Sequence, residues 1–187
     1  LIYGNHKYMA TNYRNDFTHK YYDTLINSNS NKYLIEQVKK YSSPVYEAEV
    51  ILVYTNKTRQ KYNKLICDHL NISYTENIKP NPENLTEGTS IICTVNDLRK
   101  KNIYNKFCYT IKNVDDKITI TDGINDIKIT LKELKFFDFG YARTIYSIQG
   151  SSIKSYHYAK EDYNFIDNRS AYTTISRLKS EKNYINK

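Results

Sequence analysis

Residues 48–70 read "AEVILVYTNKTRQKYNKLICDHL". The first eight, "AEVILVYT", form a largely β-branched run whose centre, "VILV", has no polar residue. That is the composition of a strand buried on both faces of a parallel sheet. The remaining fifteen change period: Tyr62, Leu65, Ile66, His69 and Leu70 recur at helical spacing and predict an amphipathic helix over 56–70 with that stripe facing inward. Strand, short polar turn, helix is half of a βαβ unit, and it sets the expectation of an α/β fold.

Working outward from this stretch, the upstream segment "NKYLIEQVKKY" (31–41) predicts a second helix, capped by Asn31, with Leu34, Val38 and Tyr41 on one face. Further upstream, Phe17, Tyr21 and Leu25 predict a helix from Asp16 to Asn27. The opening residues, "LIYGNHKYMA", read as the end of a strand from a preceding domain, so the chain is expected to be part of a longer protein. Downstream, between residues 80 and 134, the period shortens. "SIICTV", "FCYTIKNV", "KITITD" and "DIKITL" predict short strands separated by "DD" and "DG" turns, an antiparallel β insertion. After it "FFDFGYA" predicts a strand, "RTIYSIQG" a short helix, "SIKSYHYA" a strand, and "NRSAYTTISRLK" a helix with Asn168 as its N-cap.

Composition narrows the classes of function. At 187 residues with 40% hydrophobic content, the chain can bury a proper core. No apolar run approaches the roughly 20 residues that span a bilayer, so no membrane partner is expected. Net charge is +8 with a pI near 9.2, which favours a polyanionic partner. The chain has 20 tyrosines and no tryptophan. Tyrosines interleaved with lysines stack bases and bind phosphates, but the codon bias of an AT-rich genome also enriches Tyr, Lys, Asn and Ile. Cys67, Cys93 and Cys108 lack C-x-x-C spacing and read as reduced core residues of an intracellular protein. With four scattered histidines they form no metal pattern, and no metal site is expected.

The chemistry-bearing residues cluster near the C-terminus: "YARTIYSIQGSSIKS" (141–155) and "RSAYTTISRLKSEKNYI" (169–185). In an open α/β sheet, residues at strand ends and helix starts share one ligand crevice. Gly150 lets the backbone approach a ligand or simply ends the turn over 143–149. Asn56 and Thr58 cap the 56–70 helix or meet a phosphate at its N-terminus. Arg177 carries a permanent, forked cation suited to the spread charge of a transferring phosphoryl group. The basic run Arg99, Lys100, Lys101 is a candidate strand contact but reads better as a solvated face.

These segments resemble superfamily 1 helicases, in the RecD-like and Dda-like branch. "YARTIYSIQGSSIKS" resembles that family's motif V and "AYTTISRLK" its motif VI. "NYRND" (12–16) resembles the motif IV arginine segment, and "VYTNKTRQKYN" (53–63) the Thr-Asn…Asn strand–helix junction. "LIYGNHKYM" lies where motif III belongs. Motif III's Asp and Gln are Asn5 and Tyr8 here, and motif V's His-Lys is Tyr146-Ser147, which removes a positive charge.

The resemblance implies a RecA-like parallel sheet flanked by helices, with a small antiparallel β-barrel insertion. It implies that residues 1–13 end a first RecA-like domain, that 14–80 and 135–187 form the second, and that 81–134 are the insertion. The function implied is the C-terminal motor half of an ATP-dependent DNA helicase of replication or repair, moving 5′→3′ on single-stranded DNA. Arg14 and Arg177 would be arginine fingers, and Gln149 and Gly150 would line the nucleotide cleft. Thr144, Tyr146, Ser151, Ser152, Asn56 and Thr58 would meet the strand. ATP and Mg²⁺ would be held by an N-terminal RecA-like domain, since these 187 residues contain no G-x-x-x-x-G-K-[ST]. This chain alone would then be inactive. Single-stranded or forked DNA is the implied partner, and the cytoplasm or nucleus, or a virus factory for a viral protein, the implied setting. Two alternatives stand beside it: a non-catalytic nucleic-acid-binding module of helicase-like fold, and an RNA helicase.

Overall fold

The computed structural model of the chain describes residues 24–179. The expected helix over 16–27 falls largely outside the described residues, as do the motif III segment and Arg14. The described residues group into two compact units: one reaches to Thr55 and resumes at Thr144, and the other is Asn56–Arg143. This grouping sets the 56–70 helix with the antiparallel strands, whereas the sequence reading sets it with the parallel ones.

In the first unit, helix α1 (Asn31–Lys40) buries Leu34 and Val38. Its cap is Ser30 rather than Asn31: the Ser30 hydroxyl accepts the Tyr33 N–H at 3.3 Å. A serine oxygen one residue ahead of the first helical turn reaches an orphan amide that Asn31, already helical, cannot. Strand β1 (Val50–Val53) is buried throughout, as its unbroken apolar run requires. It pairs in parallel with a strand formed by Tyr156–Tyr158, in the register Val50↔Tyr156, Ile51↔His157, Leu52↔Tyr158.

The second unit opens with helix α2 (Asn56–Leu70), which buries Thr58, Tyr62, Asn63, Ile66 and Cys67. The expected stripe is therefore rotated. Leu65 and Leu70 are exposed, as is His69, and the polar Asn63 takes an inward position. The reason is hydrogen bonding. The Asn63 amide donates to the Phe139 carbonyl (3.2 Å) and its oxygen accepts the Ala142 N–H (2.8 Å), so a polar side chain satisfies two buried backbone groups. Periodicity counts apolar residues only and misses such a position.

The antiparallel sheet, to which the strand Phe137–Phe139 from beyond residue 134 also belongs, is open, not the barrel the resemblance implied. Strands β2 (Ser90–Cys93), β3 (Cys108–Val114), β4 (Ile118–Thr121), β5 (Asp126–Ile129) and β6 (Phe137–Phe139) lie in the order β5-β4-β3-β2-β6, all antiparallel. The edges β5 and β6 do not pair with each other, so the sheet does not close. One face is covered by Ile91, Ile111, Ile118, Ile120, Ile129 and Phe137.

"FFDFGYA" is two strands, not one: β6, and β7 (Ala142–Thr144), with Gly140 between them. A Cβ at Gly140 would sit 2.6 Å from the Ser90 hydroxyl and 3.3 Å from the Ile91 carbonyl carbon, so any side chain here would require the serine to turn away and the Ile91 backbone to shift. The small parallel sheet then has the order β7-β1-β8, with β8 the strand Tyr156–Tyr158. The short helix expected over 143–149 is a single 3₁₀ turn, Ile145–Ile148.

Helix α3 (Asn168–Ile175) is capped by Asp167 in a reciprocal capping box with Ser170, not by Asn168. The Asn168 amide instead donates to the carbonyls of Leu25 and Ser28, both at 2.7 Å. Leu34, Val38, Leu52, Ile148, Tyr156, Tyr158 and Ile175 form this unit's core. The Tyr156 hydroxyl is satisfied by the Val38 carbonyl at 2.8 Å.

The Tyr158 hydroxyl is different: it is buried without a hydrogen-bond partner among the described residues. Burial, then the charge of Asp162, pushes the phenol above its ordinary range. A phenol pKa raised by folding contributes stability that is complete below the unfolded value near 10 and is lost as pH rises through the folded one. Tyr158→Phe removes the orphaned hydroxyl and is expected to stabilise the chain by about 1 kcal/mol at neutral pH. It should also flatten the loss of stability above pH 10, as read by urea unfolding at pH 7 and 10.5.

Candidate nucleic-acid interface

The C-terminal ends of the parallel strands carry the candidate residues. β1 runs into Tyr54 and Thr55, β7 into the 145–148 turn, and β8 into a 3₁₀ turn over Lys160–Phe165. The last is anchored where the Ala159 N–H donates to the Leu52 carbonyl (2.9 Å). Asp162, buried at 2% exposure, accepts the Tyr54 N–H at 2.6 Å and the Thr55 N–H at 3.3 Å. A buried carboxylate is tolerated where backbone donors meet it, and here it fixes the path of the chain as it leaves β1.

That anchoring organises three rings. Tyr54 stacks on Phe165 with centroids 4.8 Å apart and planes 10° from parallel. Tyr146 meets Tyr54 edge-on at 5.8 Å, and its hydroxyl donates to the Tyr54 hydroxyl at 3.1 Å. The hydrogen bond and the charge of Tyr146, followed by burial, raise the Tyr54 phenol above its ordinary pKa. Sequence reasoning named Tyr146 and missed Tyr54, Phe165 and Asp162. An aspartate in the polar link between a predicted strand and helix was the available signal, and it is a weak one.

Gln149, Gly150 and Ser152 are exposed and Ser151 is half-buried, in one turn that follows the 145–148 segment. The Ser151 N–H closes that turn on the Ile148 carbonyl (3.0 Å), and the Ser147 hydroxyl donates to the Thr144 carbonyl (2.7 Å). Gly150 has φ +93°, and nothing lies within 4 Å of where its Cβ would be. The left-handed backbone accounts for glycine without a ligand pressing on it.

Arg177 is brought to this turn through the backbone. Its carbonyl accepts the Ile153 N–H at 2.8 Å, and the Lys179 N–H donates to the Ile153 carbonyl at 3.0 Å. Two segments that sequence analysis treated as separate motifs are thus laced together three residues beyond Gly150. The Arg177 side chain is half-buried. In the other unit, Asn56 is exposed at the start of α2 while Thr58 is buried at 8% exposure. Two further residues of the Thr-Asn…Asn junction have partners there: Arg59 pairs with Asp138 at 3.0 Å, and Asn63 clamps the backbone as above. In the basic run, Lys101 pairs with Glu133 at 2.6 Å, and Arg99 and Lys100 are exposed. Among the described residues no group of three His, Cys, Asp or Glu side chains could hold a metal ion, and no helix is long and apolar enough to cross a membrane.

No family model matches the chain, and no curated protein does. Solved structures do. A Bacteroides Pif1 bound to single-stranded DNA superposes with a TM-score of 0.56 at 17% identity, over 86% of this chain and 46% of that one. Pif1 helicase from Bacteroides in complex with ADP-AlF3 and single-stranded DNA gives 0.52 at 20% identity, over 89% of this chain and 49% of that one. The unliganded Bacteroides Pif1 gives 0.51 at 18% identity, over 90% and 49%. The chain spans about half the length of these structures. Its α/β architecture, a three-stranded parallel sheet with a five-stranded antiparallel one, is the fold of one half of a Pif1 helicase, in agreement with the superfamily 1 resemblance of its motifs.

Proposed function

We propose that this chain is the C-terminal motor half of an ATP-dependent DNA helicase that translocates 5′→3′ on single-stranded DNA and unwinds duplexes inside the cell. The observation that carries the reading is the lacing of the 144–153 segment to Arg177 at the ends of the parallel strands. In that arrangement one turn can sense a bound strand while the adjoining arginine senses a nucleotide. Residues 14–80 and 135–187 would be the second RecA-like domain, with 81–134 inserted and 1–13 ending the first.

ATP and Mg²⁺ would be held mainly by a P-loop domain outside these residues, which contain no G-x-x-x-x-G-K-[ST]. Arg177 and Arg14 would supply positive charge to the γ-phosphoryl oxygens, which hydrolysis makes more negative. Gln149 and Gly150 would link that cleft to the strand. Thr144, Ser151 and Ser152 would donate hydroxyls and amides to phosphates, and Tyr146, Asn56 and Thr58 would also meet the strand. The changes at Asn5, Tyr8, Tyr146 and Ser147 favour a second reading, a strand-binding module of the same fold without ATPase activity.

The purified chain is expected to bind a fluorescein-labelled single strand weakly, with a log–log salt slope of about −0.7 per phosphate neutralised. It should release no phosphate from ATP, because the amides that cradle phosphates lie elsewhere. Fluorescence anisotropy across salt concentrations checks the first expectation and a phosphate-release assay the second. Salt-independent binding contradicts the electrostatic reading, and ATP turnover contradicts the split active site.

A further inference from the structure

We infer that Tyr54, Phe165 and Tyr146 form a platform on which one base of the bound strand stacks, so that this chain grips bases as well as phosphates. The inference rests on the strand-binding reading above and adds to it a class of contact and two residues, Tyr54 and Phe165.

Three observations support it. First, the rings are exposed where burial would be favourable: Tyr146 is 50% and Phe165 46% accessible. Second, they brace one another. Tyr54 is held by buried Asp162 through its backbone, by Phe165 through stacking, and by Tyr146 through the paired hydroxyls. Rings already fixed in place lose little conformational freedom when a flat ligand arrives. Third, the turn that carries Phe165 also brings cations to this part of the chain. The Lys39 ammonium lies 4.7 Å from the centroid of Tyr163, on the same 160–165 turn as Phe165, and Lys160 is exposed at the start of that turn. Exposed aromatic rings on a lysine-bearing turn, in a chain of net charge +8, match an unstacked base attached to a phosphate backbone. Stacking also needs no base-specific donor, which suits a protein that must pass along any sequence.

The chain contains no tryptophan, so Phe165→Trp places a single indole in the platform. Its emission is read while an oligothymidine, or an abasic strand of equal length and charge, is titrated in. Expected is quenching by oligothymidine and none by the abasic strand. In the unaltered chain, anisotropy should show oligothymidine binding about tenfold tighter than the abasic strand at the same salt. Phe165→Leu keeps the apolar bulk without the π-face and should abolish that difference while leaving the salt slope unchanged; Phe165→Tyr should restore it.

Equal binding of the two strands by the unaltered chain overturns the platform and leaves the strand-binding reading standing. Absence of binding to either strand overturns both. Quenching of the Phe165→Trp variant by AMP or ATP but not by oligothymidine also overturns the inference, because the rings would then hold a free nucleotide.

Discussion

If the chain is half of an ATPase as proposed, alanine at position 177 is expected to lower that enzyme's ATP turnover by about 10³-fold or more, with single-strand affinity changed only a few-fold. The argument runs through charge and reach. The proposed role of Arg177 is to meet the γ-phosphoryl oxygens as they gain charge, and a forked, permanent cation stabilises that state best. The substitution removes the guanidinium and keeps the backbone pairing, since the Arg177 carbonyl goes on accepting the Ile153 N–H. Lysine should rescue poorly, because a single ammonium lacks the planar fork. Arg14→Ala should behave likewise, and the double variant should lose less than the product of the two, as both arginines would serve one transition state in the proposed site. Steady-state turnover with and without DNA, beside anisotropy, separates the outcomes. Normal turnover with lost strand affinity would move Arg177 from the nucleotide cleft to the strand groove.

Asn63→Leu is expected to destabilise the folded chain by about 3 kcal/mol. Leucine matches asparagine in size but leaves the Phe139 carbonyl and the Ala142 amide without their side-chain partner, and each orphaned buried group costs roughly 1–3 kcal/mol. For a chain of this size the melting temperature should fall by about 6–12 °C. Asn63→Asp should also destabilise: it keeps an acceptor for Ala142 but loses the donor to Phe139 and buries a charge. Leu65→Ala, on the exposed part of the same helix, is the control and should shift the melt far less. Thermal melts of the three variants decide it, and an unchanged Asn63→Leu melt would mean the clamp carries no weight. The resemblance makes this asparagine part of a helicase motif, and the clamp provides a structural reason for asparagine at that position.

Much of the architecture is present in local pattern. The run at 50–53 is apolar at every position, and such a strand is stable only with both faces covered. The short strands of the insertion and the helices at 31–40 and 168–175 follow from alternation, turns and helical spacing, all of which operate within about ten residues. The errors share one cause. Ser30 in place of Asn31, Asp167 in place of Asn168, and Asn63 on the buried face of α2 each turn on which hydrogen bond forms, and periodicity does not contain that information. Sheet closure is likewise non-local: each strand of an open sheet and of a barrel can carry the same alternation, and only the pairing of the edges distinguishes them.

The candidate site divides the same way. That Arg177, Gly150 and the serines beside it merit attention is legible from residue type and order, because a guanidinium and a glycine-containing turn carry their chemistry with them. That Ile153 laces the two motifs together is not, since parallel backbone pairing leaves no mark on side-chain sequence. Tyr54, Tyr146 and Phe165 lie 92 and 19 residues apart along the chain and look, in a sequence with 20 tyrosines, like composition. They become one surface because parallel strands deliver their C-terminal ends to the same edge, and because one buried carboxylate, Asp162, holds the chain there by its amides. Local composition determined which elements form; the pairing of distant backbones decided which side chains meet.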